Sequence, residues 1–162
     1  MPFGPLVDVG WLREHAREPG VVLVDCRWRL GEPDAGARLY ATGHLPGAAF
    51  LAVERDLSAP PGAGRHPLPE PDAFERAARA AGIGGETRVV AYDEAGEGGA
   101  ARLWWLLRHF GHPAAAVLDG GLRAWREVGG PLAAGRQDPP PGDFRALPRE
   151  GDAATAGELR RR

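Results

Sequence analysis

Asp93, Glu94 and Glu97 share a short glycine-rich loop, Asp93-Glu-Ala-Gly-Glu-Gly-Gly99, and they pose the chemical question of this sequence. The loop follows an apolar run, Val89–Tyr92, of a length that suits a buried strand. It precedes a segment in which Ala101, Leu103, Trp104, Leu107 and Phe110 recur at helical spacing. A strand, a glycine loop and a helix start in succession build anion sites in α/β proteins. Free backbone N–H groups and the positive end of the helix dipole both point into such a loop. A nucleophile at the first loop position would stand over those donors, and here that position is Asp93. Three carboxylates beside a helix start can cap it, at ~0.3–1 kcal/mol each, and they also repel an anionic substrate. The residues therefore predict a capped structural loop over Asp93, Glu94, Ala95, Gly96, Glu97 and Gly98, with no catalytic group of its own.

The other reactive side chains are few. Cys26 is the single thiol, so no internal disulfide forms. It follows a β-branched run, and no glycine loop comes after it. A phosphatase-type loop needs an arginine six positions on, where Glu32 stands, so a partly buried structural cysteine is expected. Asp25 and Arg27 flank it and predict an ion pair pinning the strand end. His44 precedes the Pro46-Gly47 turn and predicts a turn-stabilising hydrogen bond. Asp119, before Gly120-Gly121, predicts a helix cap. Gly96 to Ala101 also fits G-x-G-x-x-A, with Asp119 about 20 residues on, the spacing of a dinucleotide site. Three carboxylates crowd the place of the pyrophosphate, and the strand is not the first of the domain. No cofactor is expected. His109 and His112 lack partners at zinc spacing, so no metal is expected either.

The elements that must position these residues alternate in type. Val7–Ala16 reads as a helix with Trp11 and Leu12 inward, and Val21–Val24 as a buried parallel strand. Gly31–Gly43 reads as a turn-rich excursion, Ala48–Leu51 as a short strand, and Asp56–Pro71 as an irregular surface loop. Pro71–Ala81 has proline in its first turn, one apolar face and Gly82 to stop it, which predicts a helix. Ala114–Leu118 reads as a strand and Leu122–Val128 as a helix carrying Trp125. The helical tryptophans Trp104, Trp105 and Trp125 are expected to lie mostly in the core, with some of their area free to face a partner. Strands alternating with helices predict an α/β domain with a parallel sheet.

From Pro131 the composition changes. Pro139-Pro140-Pro141-Gly142 looks like a linker, extended rather than packed. Thr155 with Glu158 three residues on marks a new helix start. The expected division is a domain over 1–135, a proline-rich linker over 136–153, and the truncated start of a second domain over 154–162. The chain's 162 residues, 43% apolar and 26% charged, suffice for one packed domain. All 20 basic residues are arginine, and the net charge of −2, with no basic run before Arg160-Arg161-Arg162, argues against nucleic acid. No apolar stretch suits a membrane span, and Met1–Asp8 lacks the basic and apolar regions of a secretory signal; a cytoplasmic location is expected.

Several stretches together resemble the rhodanese family, specifically the N-terminal half of its two-domain thiosulfate and mercaptopyruvate sulfurtransferases. Gly43-His44-Leu45-Pro46-Gly47-Ala48 is similar to the family's first signature, and Leu118-Asp119-Gly120-Gly121-Leu122-Arg123-Ala124-Trp125 to its second. Val24–Trp28, Asp56-Leu57-Ser58, Arg65–Pro69 and Ala101-Arg102-Leu103-Trp104-Trp105 resemble segments of that first half, and the likeness spans roughly residues 5–150. The resemblance implies a three-layer α/β/α domain with a parallel sheet of about five strands. It gives structural roles to Asp25, Arg27, His44, Gly47, Arg102, Asp119, Gly120 and Trp125. It also implies that the nucleophile of an active member would be a cysteine at position 93, forming a persulfide and passing sulfur to a thiol or cyanide. Asp93 is the usual departure in the non-catalytic first domain. The expected role is thus a structural or partner domain of a sulfurtransferase, pairing with a cysteine-bearing rhodanese domain or with itself. The alternative is a weak sulfurtransferase using Cys26.

Overall fold

The computed structural model describes residues 3–62 and 64–161. Met1, Pro2 and Arg162, the outer ends of the two terminal stretches noted above, lie outside the described residues, as does Ala63 of the proline-rich loop. The elements are, in order, β1 (Leu6–Val7), α1 (Val9–His15), β2 (Val21–Asp25), α2 (Ala35–Thr42), β3 (Ala49–Phe50), α3 (Pro71–Ala80), β4 (Arg88–Tyr92), α4 (Gly99–His109), β5 (Ala115–Leu118), α5 (Gly121–Glu127) and α6 (Ala156–Arg160). The five strands form one parallel sheet in the order β1-β5-β4-β2-β3.

Alternation along the central strands divides the core. Val24, Val89, Ala91 and Ala115 face Phe74 and Ala78 of α3 and Leu103, Leu106 and Leu107 of α4. Leu23, Val90, Tyr92, Ala116 and Leu118 face Leu12 of α1 and Leu122 and Trp125 of α5. A period of two thus serves two separate apolar layers, as a sheet covered on both faces requires. α3 begins and ends as expected: Pro71 opens it and Gly82, at φ +87°, follows its end.

Three expectations need correction. Val7, expected to open the first helix, is not helical; with Leu6 it pairs with Leu118 and Val117 as an edge strand. The helix starts only after Asp8, whose Oδ1 accepts the Trp11 N–H at 2.8 Å. Two residues are too few to show a strand period, and the pairing is decided across the chain. The excursion before Gly43 contains α2, which its glycines conceal. Gly36 is needed inside it, because a Cβ there would lie 2.2 Å from the Arg27 carbonyl oxygen. The proline-rich stretch is extended, yet it packs. Gly142 N–H donates to Arg79 O, Phe144 N–H to Ile83 O and Leu147 N–H to Phe110 O, and Phe144 is buried in the α3–α4 core. Its one aromatic anchor was hidden by the surrounding polar and proline residues. At the far end, Thr155 and Glu158 form the expected capping box on α6.

His112 closes the lower part of this core in its neutral form. Nε2–H donates to Gly84 O at 2.9 Å, and Nδ1 accepts the Ala114 N–H at 3.2 Å. Burial lowers its pKa from 6.5, against a smaller upward pull from the Gly84 carbonyl. The folded state therefore refuses a proton that the unfolded chain accepts. The stability this provides is fully present above the unfolded value of 6.5 and is lost as the pH falls through the lowered folded value. Urea midpoints of the wild-type chain should fall between pH 7.5 and 5, and His112→Gln should flatten that slope. Parallel slopes would contradict this role.

Candidate functional site

The connection leaving β2 runs outward to β3, and the chain then returns across β2 to β4. The carboxyl ends of β2 and β4 therefore border the crevice where open α/β sheets bind ligands. Two segments meet there, Cys26–Leu30 after β2 and the Asp93–Gly98 loop after β4. They touch closely: a Cβ on Gly99, the first residue of α4, would lie 2.1 Å from the Cys26 carbonyl oxygen. Trp28 spans the gap, its Nε1–H donating to Glu97 O at 3.2 Å.

Asp93 occupies the loop's own donors. Its carboxylate accepts N–H groups from Gly96 at 2.8 Å and from Gly98 and Ala100 at 3.2 Å, and the residue is buried. The N–H groups that would cradle a substrate oxyanion, or a dinucleotide pyrophosphate, are thus engaged by a side chain of the loop itself. Burial raises the pKa of Asp93; the Ala100 and Gly96 N–H groups oppose that shift, and the neighbouring Glu97 adds to it. Burial also pushes Glu97 up, but the Ala95 N–H and further backbone donors outweigh this and hold it below its usual value. Asp93 thus behaves as an expected capping carboxylate, reaching the Ala100 N–H in the first turn of α4, whereas Glu97 bonds the Ala95 N–H inside the loop and does not cap the helix. Glu94 does not cap it either: it pairs with Arg126 and lies 3.8 Å from Arg27, so its charge is matched rather than free to repel a ligand. Nothing local in the sequence signalled Arg126, which lies 32 residues away.

The β2 end carries the expected ion pair and a partner that sequence reasoning missed. Arg27 grips Asp25 through Nε at 3.0 Å and Nη2 at 2.6 Å, and Nη2 also donates to Gly43 O at 2.6 Å. Tyr92 completes the group: its OH donates to Asp25 Oδ2 at 3.0 Å and accepts the Leu45 N–H at 3.1 Å. Asp25, Arg27 and Tyr92 are all buried. Burial tends to lower the Arg27 pKa, but the hydrogen-bonded Asp25 carboxylate raises it overall. Burial, reinforced by the Asp25 charge, lifts Tyr92 well above the ordinary phenol range. The signal was available in Tyr92's place at the end of β4, in register with Asp25. Cys26, between these charges, has no exposed surface, and burial followed by the Asp25, Asp93 and Asp56 charges raises its thiol pKa well above normal. A thiol so placed supplies almost no thiolate.

The remaining motif residues hold the frame. His44 is buried, with Nδ1 2.8 Å from Leu45 O and Nε2 2.8 Å from Gly135 O, so it fixes the turn and also ties it to the chain beyond α5. Gly47 takes φ +82° in that turn and donates its N–H to Gln137. Arg102 donates to Leu57 O, His66 O and Pro67 O, pinning the proline-rich loop onto α4. Trp125 is buried and bonds Pro131 O. Gly120, at φ +80°, is the N-cap of α5; Asp119 does not cap it by its side chain and is exposed. The α5 start is served instead by the loop itself, since Leu122 and Arg123 N–H groups donate to the Asp93 and Glu94 carbonyls. Gly121 permits this contact, because a Cβ there would lie 2.5 Å from Glu94 O. The structure therefore brings Arg27, Glu94 and Glu97 together around a cleft of about 360 Å³ that Trp28, Arg29, Leu39 and Arg126 also line, with Asp25 buried behind Arg27. It places His44, Arg102 and Trp125 in its support and leaves the Asp119 side chain exposed.

Comparison with known proteins agrees with the fold. The family model of the rhodanese-like domain matches residues 8–128. A Pseudomonas aeruginosa protein named probable 3-mercaptopyruvate sulfurtransferase is 41% identical over 152 residues, covering 91% of this chain and 54% of that protein. Human 3-mercaptopyruvate sulfurtransferase is 38% identical over 150 residues, covering 87% of this chain and 50% of that protein. The crystal structure of SseA from Escherichia coli, described as a 3-mercaptopyruvate sulfotransferase of rhodanese fold, superposes with a TM-score of 0.88 at 32% identity, over 96% of this chain and 60% of that one. The chain thus spans about half the length of the curated relatives it matches. No helix among the described residues is long and apolar enough to cross a membrane.

Proposed function

Because this chain belongs to the rhodanese-like domain family, we propose that it is a non-catalytic domain of a sulfurtransferase, equivalent to the N-terminal half of a two-domain thiosulfate or mercaptopyruvate enzyme. One observation carries the reading: at the first position of the loop after β4 a buried carboxylate, not a thiol, fills the backbone donors. Sulfur transfer through a persulfide needs a thiolate at that place, and a carboxylate cannot hold the sulfur. Cys26 is the single thiol of the chain, and its complete burial disfavours the alternative of a weak enzyme built on it. The domain's role is then structural, as partner to a cysteine-bearing domain or to itself.

The test is to incubate the purified chain with thiosulfate and cyanide and to measure thiocyanate, with Cys26→Ala alongside. No product above the blank is expected from either. Thiocyanate that disappears in Cys26→Ala would make Cys26 a nucleophile and overturn the proposal. Asp93→Cys alone should remain a poor enzyme, because Glu97 keeps its negative charge in the loop. Adding Glu97→Gln should improve that variant about tenfold, the equivalent of ~1.4 kcal/mol. Brisk turnover by Asp93→Cys alone would show that loop charge is a minor obstacle.

A further inference from the structure

Leu30 projects from a tight turn on the rim of the site. Glu32 N–H donates to Arg29 O at 3.1 Å, Gly31 takes φ +78°, and the Leu30 side chain is left 59% exposed. A large aliphatic side chain held out in water by an ordered turn gains free energy when a partner buries it. Beside it opens a hollow of about 420 Å³ with walls of Leu30, Pro33, Ala59, Pro61 and His66. The projection and the hollow that could receive it therefore lie on one patch. A two-fold axis joins a patch to itself, so that residue i of one copy meets residue j of the other and the reverse. Such an axis would seat the Leu30 of each copy in the hollow of its mate.

The charges of the patch also suit self-pairing. Among the described residues Arg29 and Arg65 have no ion-pair partner, whereas Glu32 and Glu54 hold theirs, Arg38 and His66, only at 3.7 and 3.8 Å. Two free cations and two loosely held carboxylates on one face can exchange partners across a two-fold axis. We propose that the patch around Leu30 is an isologous interface through which this chain binds a second copy of itself. The interface rests on the self-pairing named in the functional reading above and gives it a place on the surface, but its test is separate: the dimer stands or falls whatever the thiocyanate assay returns.

Sedimentation velocity over a range of concentrations tests it. The mass of the wild-type chain should rise from one copy towards two. Leu30→Asp, which removes the projection, and Pro61→Arg, which blocks the hollow, should each stay monomeric with unchanged circular dichroism. Mixed one to one, these two variants should recover dimer, because one intact leucine then faces a hollow that keeps Pro33, Ala59, Pro61 and His66 and lacks only its own Leu30 wall. The introduced carboxylate and guanidinium meet at the other contact. Leu147→Asp, at a leucine 70% exposed on the strap beyond α5, should leave association unaltered. A wild-type chain that is monomeric at every concentration, a dimer indifferent to both variants, or a mixture that fails to recover would each overturn the proposal.

Discussion

Asp25→Ala is expected to destabilise the chain by ~3–5 kcal/mol, the cost of leaving a buried charge without its partner. Asp25 has no exposed surface and Arg27 has 2%, so water cannot replace the lost carboxylate. The substitution also strips the Tyr92 hydroxyl of its acceptor, and Tyr92 in turn holds the Leu45 N–H. At about 2–4 °C per kcal/mol for a chain of this size, the melting temperature should drop by about 6–20 °C. Removing both charges, as in Asp25→Ala with Arg27→Met, should cost less than the sum of the two single changes, because no unpaired ion remains. Thermal melts of the three variants provide the check. A double variant whose loss equals that sum would show that Asp25 and Arg27 act separately, and the ion-pair account would fail.

The second large effect lies where the sequence pointed to an unpacked linker. Phe144→Ala should cost ~3–5 kcal/mol, the usual penalty for emptying a buried phenylalanine site. Phe144 sits edge-on to Phe74, with ring centroids 5.9 Å apart, and within 5.8 Å of His112. The strap around it bonds α3 and α4 through Arg79 Nε to Phe144 O and Phe110 O to the Leu147 N–H. Leu147→Ala, in the same strap but 70% exposed, should change stability by no more than about 0.5 kcal/mol. Urea denaturation of the two variants separates a packed strap from a loose one. Equal, small effects would mean that residues 139–149 contribute little to the domain.

Much of this protein is written in short-range pattern. The apolar runs of β2, β4 and β5, the glycine stops and the proline at the start of α3 show locally, because backbone preference and a period of two or 3.6 act over a few residues. The ion pair of Asp25 and Arg27, the buried Cys26 and the turn role of His44 were legible for the same reason: each partner or its reason lies within a few positions. The capping box of Thr155 and Glu158 is likewise local. The resemblance of the motif order to the rhodanese family then carried the sheet of five strands.

Other features were decided only when distant segments met. β1 exists because Leu6 and Val7 find Val117 and Leu118. Glu94, read as a repelling charge, is neutralised by Arg126 from α5, and Asp119 leaves the capping of that helix to the carbonyls of Asp93 and Glu94. The type of residue at position 93 told what the loop lacks. Its geometry told what the carboxylate does there, which is to satisfy three N–H groups that the fold had left without partners. The physical reason is the same throughout. Sequence spacing fixes which face of an element is apolar and where the element stops. Which buried charge or unpaired donor finds its partner depends on separations in space that only the packed sheet and its two helical layers set.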